Sequence, residues 1–415
     1  MISAAQDTQA TGSNTGINAV NSYSTTFTSN NDSSSSYSEG TSSTTSTKTI
    51  KVLIYNGEYS IASCVSGIKK GLSTANSKNL VPGYRFTYAT STIITSSRLA
   101  GYDVLAMPGG ADGDYYVYSS SISATAIKNF VASGHGYIGI CAGAYSGVKS
   151  VRGYYNAWGV APHVVATRPW VEGNVAVKIE AAGEAIFGYG GTITMAHYNG
   201  PAMFAYNGDI VTFATYADSK CNSKGLGAIV GDYYGNGRSV IVGPHPELVP
   251  THPDILANLI IWAANKSSVQ STLINKVSIS GIGAAAATVK SYYETNKSLP
   301  SSVTIDGYKV TMPQFLYLLG TSIKNISNGK TSSIAIRPIK YPSSPSGKYK
   351  SGSVSKTKYL TYINSLVSFI NYNGRAPNYQ TTSLGNIPYE KLIYIYSRVM
   401  NYYNINQKLP SSFSI

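Results

Sequence analysis

The stretch Tyr137-Ile-Gly-Ile-Cys-Ala-Gly143 decides the fold of this chain. Its first half, Tyr137–Ile140, is a short apolar run of the kind that forms a buried strand. Cys141 follows this run at once, and glycines at positions 139 and 143 flank it. Because small residues permit a sharp turn at the edge of a sheet, the pattern predicts a strand, a strained turn that projects the cysteine, and then a helix.

Similar elements lie upstream of this stretch. Apolar runs and helical spacing alternate in the order strand Lys51–Tyr55, helix Ile61–Ala75, strand Tyr102–Met107 and helix Ile122–Ser133. Strands that alternate with helices are typical of parallel sheets, so the sequence predicts an α/β fold with a mainly parallel sheet. Further along, Gly235-Asn236-Gly237 between two strand-like runs indicates a hairpin.

Length and composition limit the possible classes of protein. The chain has 415 residues, 43% of them hydrophobic, so it can form two or three domains with sizeable cores and is not wholly disordered. No apolar run approaches the roughly 18 residues that a membrane-spanning helix needs. Three cysteines without a Cys-x-x-Cys pair exclude a disulfide-dense scaffold and a zinc site of that type.

Residues 1–48 differ from the rest of the chain. They are mostly Ser, Thr, Asn and Gly, and they cannot bury enough apolar surface to offset the entropy lost on ordering. We expect this segment to be disordered. It has neither the charged region nor the apolar region of a signal peptide, and Ile2-Ser-Ala-Ala5 after Met1 would suit a mature secreted chain whose signal was replaced by a start codon.

The net charge of +14 lies entirely after residue 265. Residues 1–265 are neutral overall and contain all five histidines and all three cysteines, so the titratable groups that catalysis uses are in this part. The second part carries a uniform positive field. Such a field is typical of a surface that attaches to a polyanion, which could be nucleic acid, an anionic membrane or an acidic wall polymer.

The basic part of the chain is repetitive. A unit of the form Asn-x-x-[Leu/Ala]-Pro follows a helical stretch three times, at 296–300, 373–377 and 406–410, and Asp306-Gly307 indicates a hairpin in the first copy. Repeats of this length predict a small, mostly helical C-terminal module. We expect an α/β domain at 49–266, a linker at 267–283 and repeat units at about 284–330, 358–400 and, in part, 401–415.

Cys141 and His245 are the candidates for chemistry. A helix N-terminus favours the reactive thiolate form of a cysteine, and the N–H group of Ala142 would be placed to hold an oxyanion. His245 follows a predicted strand and precedes Glu247, which is the order of a base and the acid that orients it. The alternatives are a small buried cysteine and a loop histidine beside a solvated glutamate. Both candidates fall at strand ends, where open α/β sheets place their sites.

These motifs carry a resemblance. Residues 51–265 resemble the class I glutamine amidotransferase-like fold, and most specifically the domain at the N-terminus of eukaryotic biotin-protein ligases. The motifs stand in that family's order: Pro108-Gly-Gly-Ala-Asp112, Gly139-Ile-Cys-Ala-Gly143, Tyr198-Asn-Gly-Pro201 and His245-Pro-Glu247. The resemblance implies a flavodoxin-like glutamine amidotransferase-like domain without cofactor or metal.

The resemblance also implies roles for single residues. Cys141 would be the nucleophile, His245 the base and Glu247 the orienting acid. The N–H groups of Gly110 and Ala142 would form the oxyanion hole. The substrate side would be lined by Gly109, Tyr198 and Asn199. His197, beside Tyr198, is expected to contact substrate, or is simply a strand histidine.

Residues 284–415 resemble the pseudomurein-binding repeats of methanogenic archaea and their viruses. The resemblance rests on the Asn-x-x-[Leu/Ala]-Pro units and on Met312-Pro-Gln-Phe-Leu-Tyr317 and Thr382-Ser-Leu-Gly-Asn-Ile387. It implies an extracellular protein associated with the cell wall, whose partner is the acidic pseudomurein polymer. Tyrosine rings would stack on sugars while Lys and Arg meet carboxylates. Nucleic acid is then the less favoured partner.

The leading hypothesis is a wall-bound cysteine amidohydrolase that acts on amide or isopeptide bonds of pseudomurein. One alternative is a transamidase that remodels wall peptide without net hydrolysis. The other is a surface adhesion protein whose α/β domain binds without turnover. Which bond is cleaved, and whether the target is the producer's own wall or another, stays open at this point.

The remaining cysteines suggest a second hypothesis. Cys64 falls on the first predicted helix and Cys221 in a polar loop. In an oxidising exterior, a Cys64–Cys221 disulfide would leave Cys141 as the one free thiol. The histidines at 135, 163 and 252 are interpreted as structural or solvated.

Overall fold

The computed structural model describes residues 47–220, 222–266 and 274–415. The segment predicted to be disordered therefore lies outside the described residues except for its last two, of which Lys48 already begins the first strand. Cys221 and residues 267–273 of the predicted linker also lie outside the described residues. The described residues from 47 onward form one compact unit.

The first part of this unit, up to residue 266, is built on a sheet of thirteen strands among the described residues. The strands are β1 (Lys48–Tyr55), β2 (Tyr84–Ser91), β3 (Val104–Met107), β4 (Gly136–Ile140), β5 (Val148–Val151), β6 (Tyr155–Asn156), β7 (Ala161–Thr167), β8 (Glu172–Ile179), β9 (Gly191–Tyr198), β10 (Ala202–Ala205), β11 (Val211–Tyr216), β12 (Gly227–Tyr234) and β13 (Gly237–Val242). The helices are α1 (Ala62–Ser77), α2 (Ser96–Leu99), α3 (Gly113–Tyr118), α4 (Ala124–Ala132), α5 (Ala142–Gly147), α6 (Ala181–Phe187) and α7 (Pro253–Ala263).

Five strands form a parallel half of the sheet in the order β2-β1-β3-β4-β13. This is the flavodoxin-like order of doubly wound α/β folds. Strands β3 and β4 are buried along their whole length, as expected of strands covered by helices on both faces. The predicted α/β fold class is confirmed. The parallel pairing brings the carboxyl ends of β3, β4 and β13 to one edge of the sheet.

The other half of the sheet is mostly antiparallel. The hairpin predicted around residue 236 is confirmed, because β12 and β13 pair antiparallel from Tyr234 and Gly237 onward. Strand β12 then pairs with β10 and β11, and β11 continues to β8 and β9. Strands β7, β5 and β6 complete the far edge. The antiparallel half delivers Tyr198, at the end of β9, to the edge of the sheet where the parallel strands end.

The C-terminal part has its own hydrophobic core and consists of two helix–hairpin–helix units. Its strands are β14 (Lys276–Val277), β15 (Ser302–Ile305), β16 (Tyr308–Thr311), β17 (Ile334–Ala335), β18 (Ser353–Ser355), β19 (Tyr379–Thr382), β20 (Gly385–Pro388) and β21 (Ser412–Ser414), and its helices are α8 (Ile279–Asn296), α9 (Met312–Ser327), α10 (Lys356–Asn373) and α11 (Tyr389–Asn406). The hairpin predicted at Asp306-Gly307 is present between β15 and β16. Helix α8 begins at Ile279, within the segment predicted as a linker. No described helix is both long and apolar enough to span a membrane.

The repeated asparagine ends a helix in each copy. The Nδ2 groups of Asn296, Asn373 and Asn406 each donate a hydrogen bond to the carbonyl four residues earlier, at 2.8–2.9 Å. The next residue in each copy has a left-handed backbone, and its N–H group caps the same helix. The repeated Asn-x-x-[Leu/Ala]-Pro unit therefore marks the same structural feature in each copy, the C-terminus of a helix.

The two parts of the unit are in contact. Arg152 of the α/β part donates to the carbonyl and to Oδ1 of Asn373, at 3.0 and 2.7 Å. Arg337 of the C-terminal part forms an ion pair with Asp209 at 3.1 Å. Gly374 lies against the ring of Phe204. These contacts leave a cleft between the two parts, described below.

Candidate active site

A cavity of about 560 Å³ opens at the carboxyl ends of β3, β4 and β13. Each of these strands delivers one part of its wall. The loop after β3 contributes Gly109 and Gly110, the turn after β4 contributes Cys141, and the loop after β13 contributes His245. This is the edge of the sheet at which open α/β folds hold their ligands.

Cys141 stands on a strained turn between β4 and α5. Its backbone has φ 52° and ψ −107°, which is unusual for a residue with a side chain. The turn is possible because a Cβ at Gly139 would collide with the carbonyl of Gly143, and a Cβ at Gly143 would collide with the carbonyl of Met107. The two glycines thus allow strand and helix to approach closely, and the predicted strained turn is present.

The Cys141 thiol lines the cavity but is shielded from bulk solvent. The residue is 8% exposed, and Sγ lies 3.4 Å from the backbone carbonyl of Tyr198. The Tyr198 ring contacts the His245 ring edge-on, with centroids 5.7 Å apart. The thiol therefore lies at the floor of the cavity, close to the imidazole and beneath a half-exposed tyrosine.

His245 and Glu247 form a buried pair. The imidazole Nδ1–H group donates to Glu247 Oε1 at 2.8 Å, and both residues are at most 4% exposed. Burial by itself lowers the pKa of His245, but the Glu247 carboxylate raises it, and contacts with Cys141 and Cys64 add to this effect. The resulting pKa lies well above that of an ordinary histidine. The imidazolium form is therefore favoured near neutral pH.

The second ring nitrogen of His245 is available for chemistry. Among the described residues, Nε2 of His245 has no hydrogen-bond partner although it is buried. A buried polar atom without a partner is energetically costly, and Glu247 Oε2 beside it is likewise without a partner among the described residues. No hydrogen bond joins Nε2 to Cys141 in this structure, yet the two groups are close enough for the thiol to influence the ring. Glu247 therefore orients the imidazole through Nδ1 and leaves Nε2 free to exchange a proton, which is the arrangement of a general base.

Of the two residues predicted as oxyanion donors, Gly110 lines the cavity and Ala142 directly follows Cys141 at the start of α5. Two backbone hydrogen bonds fix the loop after β3: Ile61 N–H donates to the Gly109 carbonyl at 3.1 Å, and Ala111 N–H donates to the Tyr59 carbonyl at 2.9 Å. The N–H groups of Gly110 and Ala142 donate to no acceptor in the described part of the chain. Both N–H groups are therefore available to stabilise a negative oxygen bound next to Cys141.

The predicted substrate-side residues line the cavity with one exception. Gly109, Tyr198 and Asn199 are part of its wall, and the Asn199 amide donates to Glu172 Oε1 at 3.0 Å. His197 does not line it. Its side chain is fully buried, Nδ1 donates to the Val171 carbonyl at 2.8 Å, and Nε2 lies 3.1 Å from the Tyr216 hydroxyl. The expectation that His197 contacts substrate is wrong, and its role is to hold strands together.

Cys64 lies on the first helix, as predicted, but it also belongs to the cavity, which the sequence analysis did not predict. It carries a free thiol in the first turn of α1, lines the cavity, and has its Sγ 3.9 Å from His245 Nδ1. The proposed disulfide is thus contradicted at Cys64, while its supposed partner Cys221 lies outside the described residues. A usable signal was present, because α1 follows β1 and its N-terminus must lie at the same edge of the sheet as the other site residues. Glu172 was also missed.

Three of these side chains could also hold a metal ion. Ligand atoms of Cys64, His245 and Glu247 lie within 4.8 Å of one another. However, the Nδ1 atom of His245 is already engaged by Glu247, so a metal bound at this atom would break the bond that orients the ring. The remaining described histidines have structural partners, as predicted: His163 pairs with buried Asp232, and His135 stacks on Phe130.

Comparisons with known proteins found one matching family and several similar solved structures. Residues 50–170, less than a third of the chain, match the family described as "Biotin-protein ligase, N terminal". No curated protein matches the chain. Similar solved structures include a putative GMP synthase protein from Thermoplasma acidophilum (17% identity, covering 52% of this chain and 94% of that one, TM-score 0.36) and a glutamine amidotransferase from Thermotoga maritima (13%, 48% and 76%, TM-score 0.33). A putative ThuA-like protein from Bacteroides uniformis is similar to the same extent (15%, 55% and 96%, TM-score 0.37). The resemblance of residues 284–415 to pseudomurein-binding repeats stays a prediction.

Proposed function

We propose that this protein is a cysteine-dependent amidohydrolase with Cys141 as nucleophile. The observation that carries the proposal is the buried His245–Glu247 pair beside Cys141, with one imidazole nitrogen bound to the carboxylate and the other without a partner. Two further features support it: the strained backbone at Cys141 and the unengaged N–H groups of Gly110 and Ala142. Together they supply a nucleophile, a base with its orienting acid, and an oxyanion hole.

The reaction would proceed in two halves. The thiolate of Cys141 attacks the amide carbonyl carbon, and the carbonyl oxygen becomes an oxyanion that accepts hydrogen bonds from Gly110 and Ala142 N–H. The His245 imidazolium then gives its proton to the leaving amine, and the C–N bond breaks to leave a thioester on Cys141. In the second half, neutral His245 takes a proton from water, and the resulting hydroxide attacks the thioester carbonyl. The C–S bond breaks, the acid is released, and the Cys141 thiolate and the His245 imidazolium are restored.

Cys64 competes with Cys141 for the role of nucleophile, but its position is less suitable. Its sulfur faces Nδ1 of His245, which already donates its proton to Glu247. Cys141 instead stands on a strained turn, directly before the Ala142 N–H group that could hold the oxyanion. The Cys64 thiol is therefore assigned to the cavity wall.

The substrate is proposed to be an amide or isopeptide bond of an acidic wall polymer, pseudomurein, outside the cell. The charge of +14 after residue 265 supports a polyanionic partner. The resemblance of the C-terminal part to wall-binding repeats supports the wall as its location. Anchoring near the substrate would raise its local concentration, so that a modest affinity of the cavity itself would suffice.

The test compares Cys141→Ala with Cys64→Ala on purified wall fragments. We expect wild type and Cys64→Ala to release amines and Cys141→Ala to release none, and we expect mass spectrometry to find a substrate-derived thioester on Cys141. Equal release by wild type and Cys141→Ala would refute cysteine-dependent hydrolysis. Products with an added amine instead of a free acid would indicate the transamidase. A Cys141 that no thiol reagent labels near neutral pH would indicate a binding protein without turnover.

A further inference from the structure

A basic groove of about 480 Å³ lies in the cleft between the α/β part and the C-terminal part. Five cationic side chains contribute to its wall, three from the first part and two from the second: Arg152, Arg168, Lys220, Lys340 and Arg375. No aspartate or glutamate in the described stretches of the chain lines it. The ring of Trp170 stands at its edge with 69% of its surface exposed.

Most of this positive charge is not neutralised by the protein. Arg168 forms an ion pair with Asp112. Arg152 donates only to Asn373, Lys220 Nζ only to the Asn174 carbonyl, and Arg375 only to the Ala376 carbonyl, all of which are neutral acceptors. Within the described residues, none of these three cations lies within ion-pair distance of a carboxylate. Like charges gathered in a concave surface attract anions more strongly than the same charges spread over a convex one.

The basic groove and the cavity that contains Cys141 are lined by adjacent residues of one segment. The segment 167–171 lines the groove, and the next residue, Glu172, lines the cavity. Arg168 makes a second link, because its guanidinium lies 5.5 Å from the ring of Tyr145, which belongs to the short helix that follows Cys141. A ligand chain bound in the groove would therefore be directed past Glu172, at the start of β8, toward the Cys141 thiol.

We propose that the basic groove binds a carboxylate-rich segment of a peptide substrate and presents a neighbouring amide bond of the same peptide to Cys141. This rests on the proposed amidohydrolase function and names the substrate class of its site. A peptide with acidic side chains supplies both components in one chain: carboxylates for arginine and lysine, and an acyl carbon for the thiol. A polynucleotide would satisfy the cations and Trp170 but has no acyl carbon to attack.

The test measures binding of a fluorescein-labelled oligo-L-glutamate to the full chain by anisotropy, in a Cys141→Ser background so that turnover does not interfere. In the groove variant, Lys220→Gln and Arg375→Gln are combined. The control variant, Arg85→Gln with Arg98→Gln, removes the same charge from near the opposite edge of the sheet. We expect affinity to fall by roughly tenfold or more in the groove variant, with a weaker salt dependence, and to change little in the control.

Three outcomes would overturn the proposal: equal losses in the two variants, no measurable binding by the parent chain, or tighter binding of single-stranded DNA or oligogalacturonate than of oligo-L-glutamate. The last would assign the groove to nucleic acid or to an acidic glycan. Because binding is measured without turnover, this result is independent of catalysis. A chain that binds the peptide through the groove but shows no thiol-dependent cleavage would refute the proposed function and leave the groove assignment standing.

Discussion

At the scale of single residues, the chemistry of the site depends on the charge of Glu247. Its carboxylate raises the pKa of His245 against the opposing effect of burial. In the proposed reaction His245 must hold a proton to give to the leaving amine, so we expect activity to be lost as pH rises through that pKa.

We predict that Glu247→Gln lowers the pKa of His245, so the alkaline limb of the kcat/KM profile moves to lower pH. The amide no longer favours the imidazolium, and we expect kcat/KM to fall by roughly 100-fold or more. The measurement is a pH series of initial rates for wild type and variant. An unmoved alkaline limb would mean that His245 is not the group that limits activity at high pH.

Gly143, in α5, allows its helix to lie close to the end of β3 at Met107. The position of Cys141 depends on this close approach. We predict that Gly143→Ala lowers the free energy of unfolding by about 3 kcal/mol or more, because the new methyl group would collide with the backbone of Met107. The control is Gly83→Ala, where φ is +83° but the space is open, and where we expect a loss of about 1 kcal/mol. Urea titration measures both. Similar losses at the two sites would contradict the packing argument.

The residues of the site differ in how far sequence could place them. Cys141 and His245 directly follow buried strands of a recognisable kind, so the topology of the fold places them at one edge. Cys64 does not follow a strand directly, and a cysteine in an amphipathic helix has the pattern of a core residue. Only the position of α1 after β1 indicates that Cys64 lies near the same edge of the sheet. His197 and Tyr198 are neighbours in β9, so their side chains point to opposite sides: the His197 ring into the core and the Tyr198 ring toward the cavity. Which of the two faces the cavity depends on the register of β9, and the sequence motif does not indicate that register.

At the scale of elements, three helices of the C-terminal part end in the same way. The capping residue after the repeated asparagine is Lys297, Gly374 or Gln407, and all three have a left-handed backbone. A side chain at such a position is strained, and only the middle copy avoids the strain by using glycine.

We predict that Lys297→Gly and Gln407→Gly each stabilise the protein by about 0.5–1 kcal/mol, since glycine adopts this backbone without strain. The control, Lys290→Gly in the interior of α8, should destabilise it by about 1 kcal/mol. Chemical denaturation distinguishes the two signs. A loss of stability on Lys297→Gly would show that its side chain contributes more than the backbone strain costs.

The elements were predictable to different degrees. Strands β3 and β4 and both hairpins have strong local signals: continuous apolar runs for the two strands, and Asp306-Gly307 or Gly235-Asn236 for the turns. Strand β2 (Tyr84–Ser91) has polar residues on its exposed side and was not predicted. The pairing order of the antiparallel half was also beyond sequence reasoning, because β12 bonds to three strands and its partners are fixed by packing between distant segments.

At the scale of the whole molecule, the ion pair between Arg337 and Asp209 joins the C-terminal part to the α/β part. Its arginine side chain is 13% exposed and its aspartate side chain 32% exposed, so the arginine is largely shielded from water and salt and the carboxylate only in part. Lys276 approaches the same carboxylate at 3.7 Å but is half exposed. The two cations therefore offer a matched comparison.

We predict that Arg337→Gln lowers the free energy of unfolding by about 1–3 kcal/mol, because Asp209 and the hydrogen-bond partners of the guanidinium lose a shielded cation. Lys276→Gln should cost less than about 0.5 kcal/mol, as expected of an exposed ion pair. Differential scanning calorimetry measures both. Equal effects would mean that the contact between the two parts does not depend on this arginine.

The parallel pairing of β13 with β4 sets Val242 opposite Ile140, although about a hundred residues separate them in the chain. The nucleophile and its base are therefore brought together only by the last strand of the sheet. A growing chain on the ribosome carries an inert thiol until that strand has emerged and inserted, and every copy must close this long loop before it can act. We expect slow folding compared with proteins of mainly local contacts. For the proposed amidohydrolase, this order of synthesis would itself limit premature amide cleavage inside the producing cell.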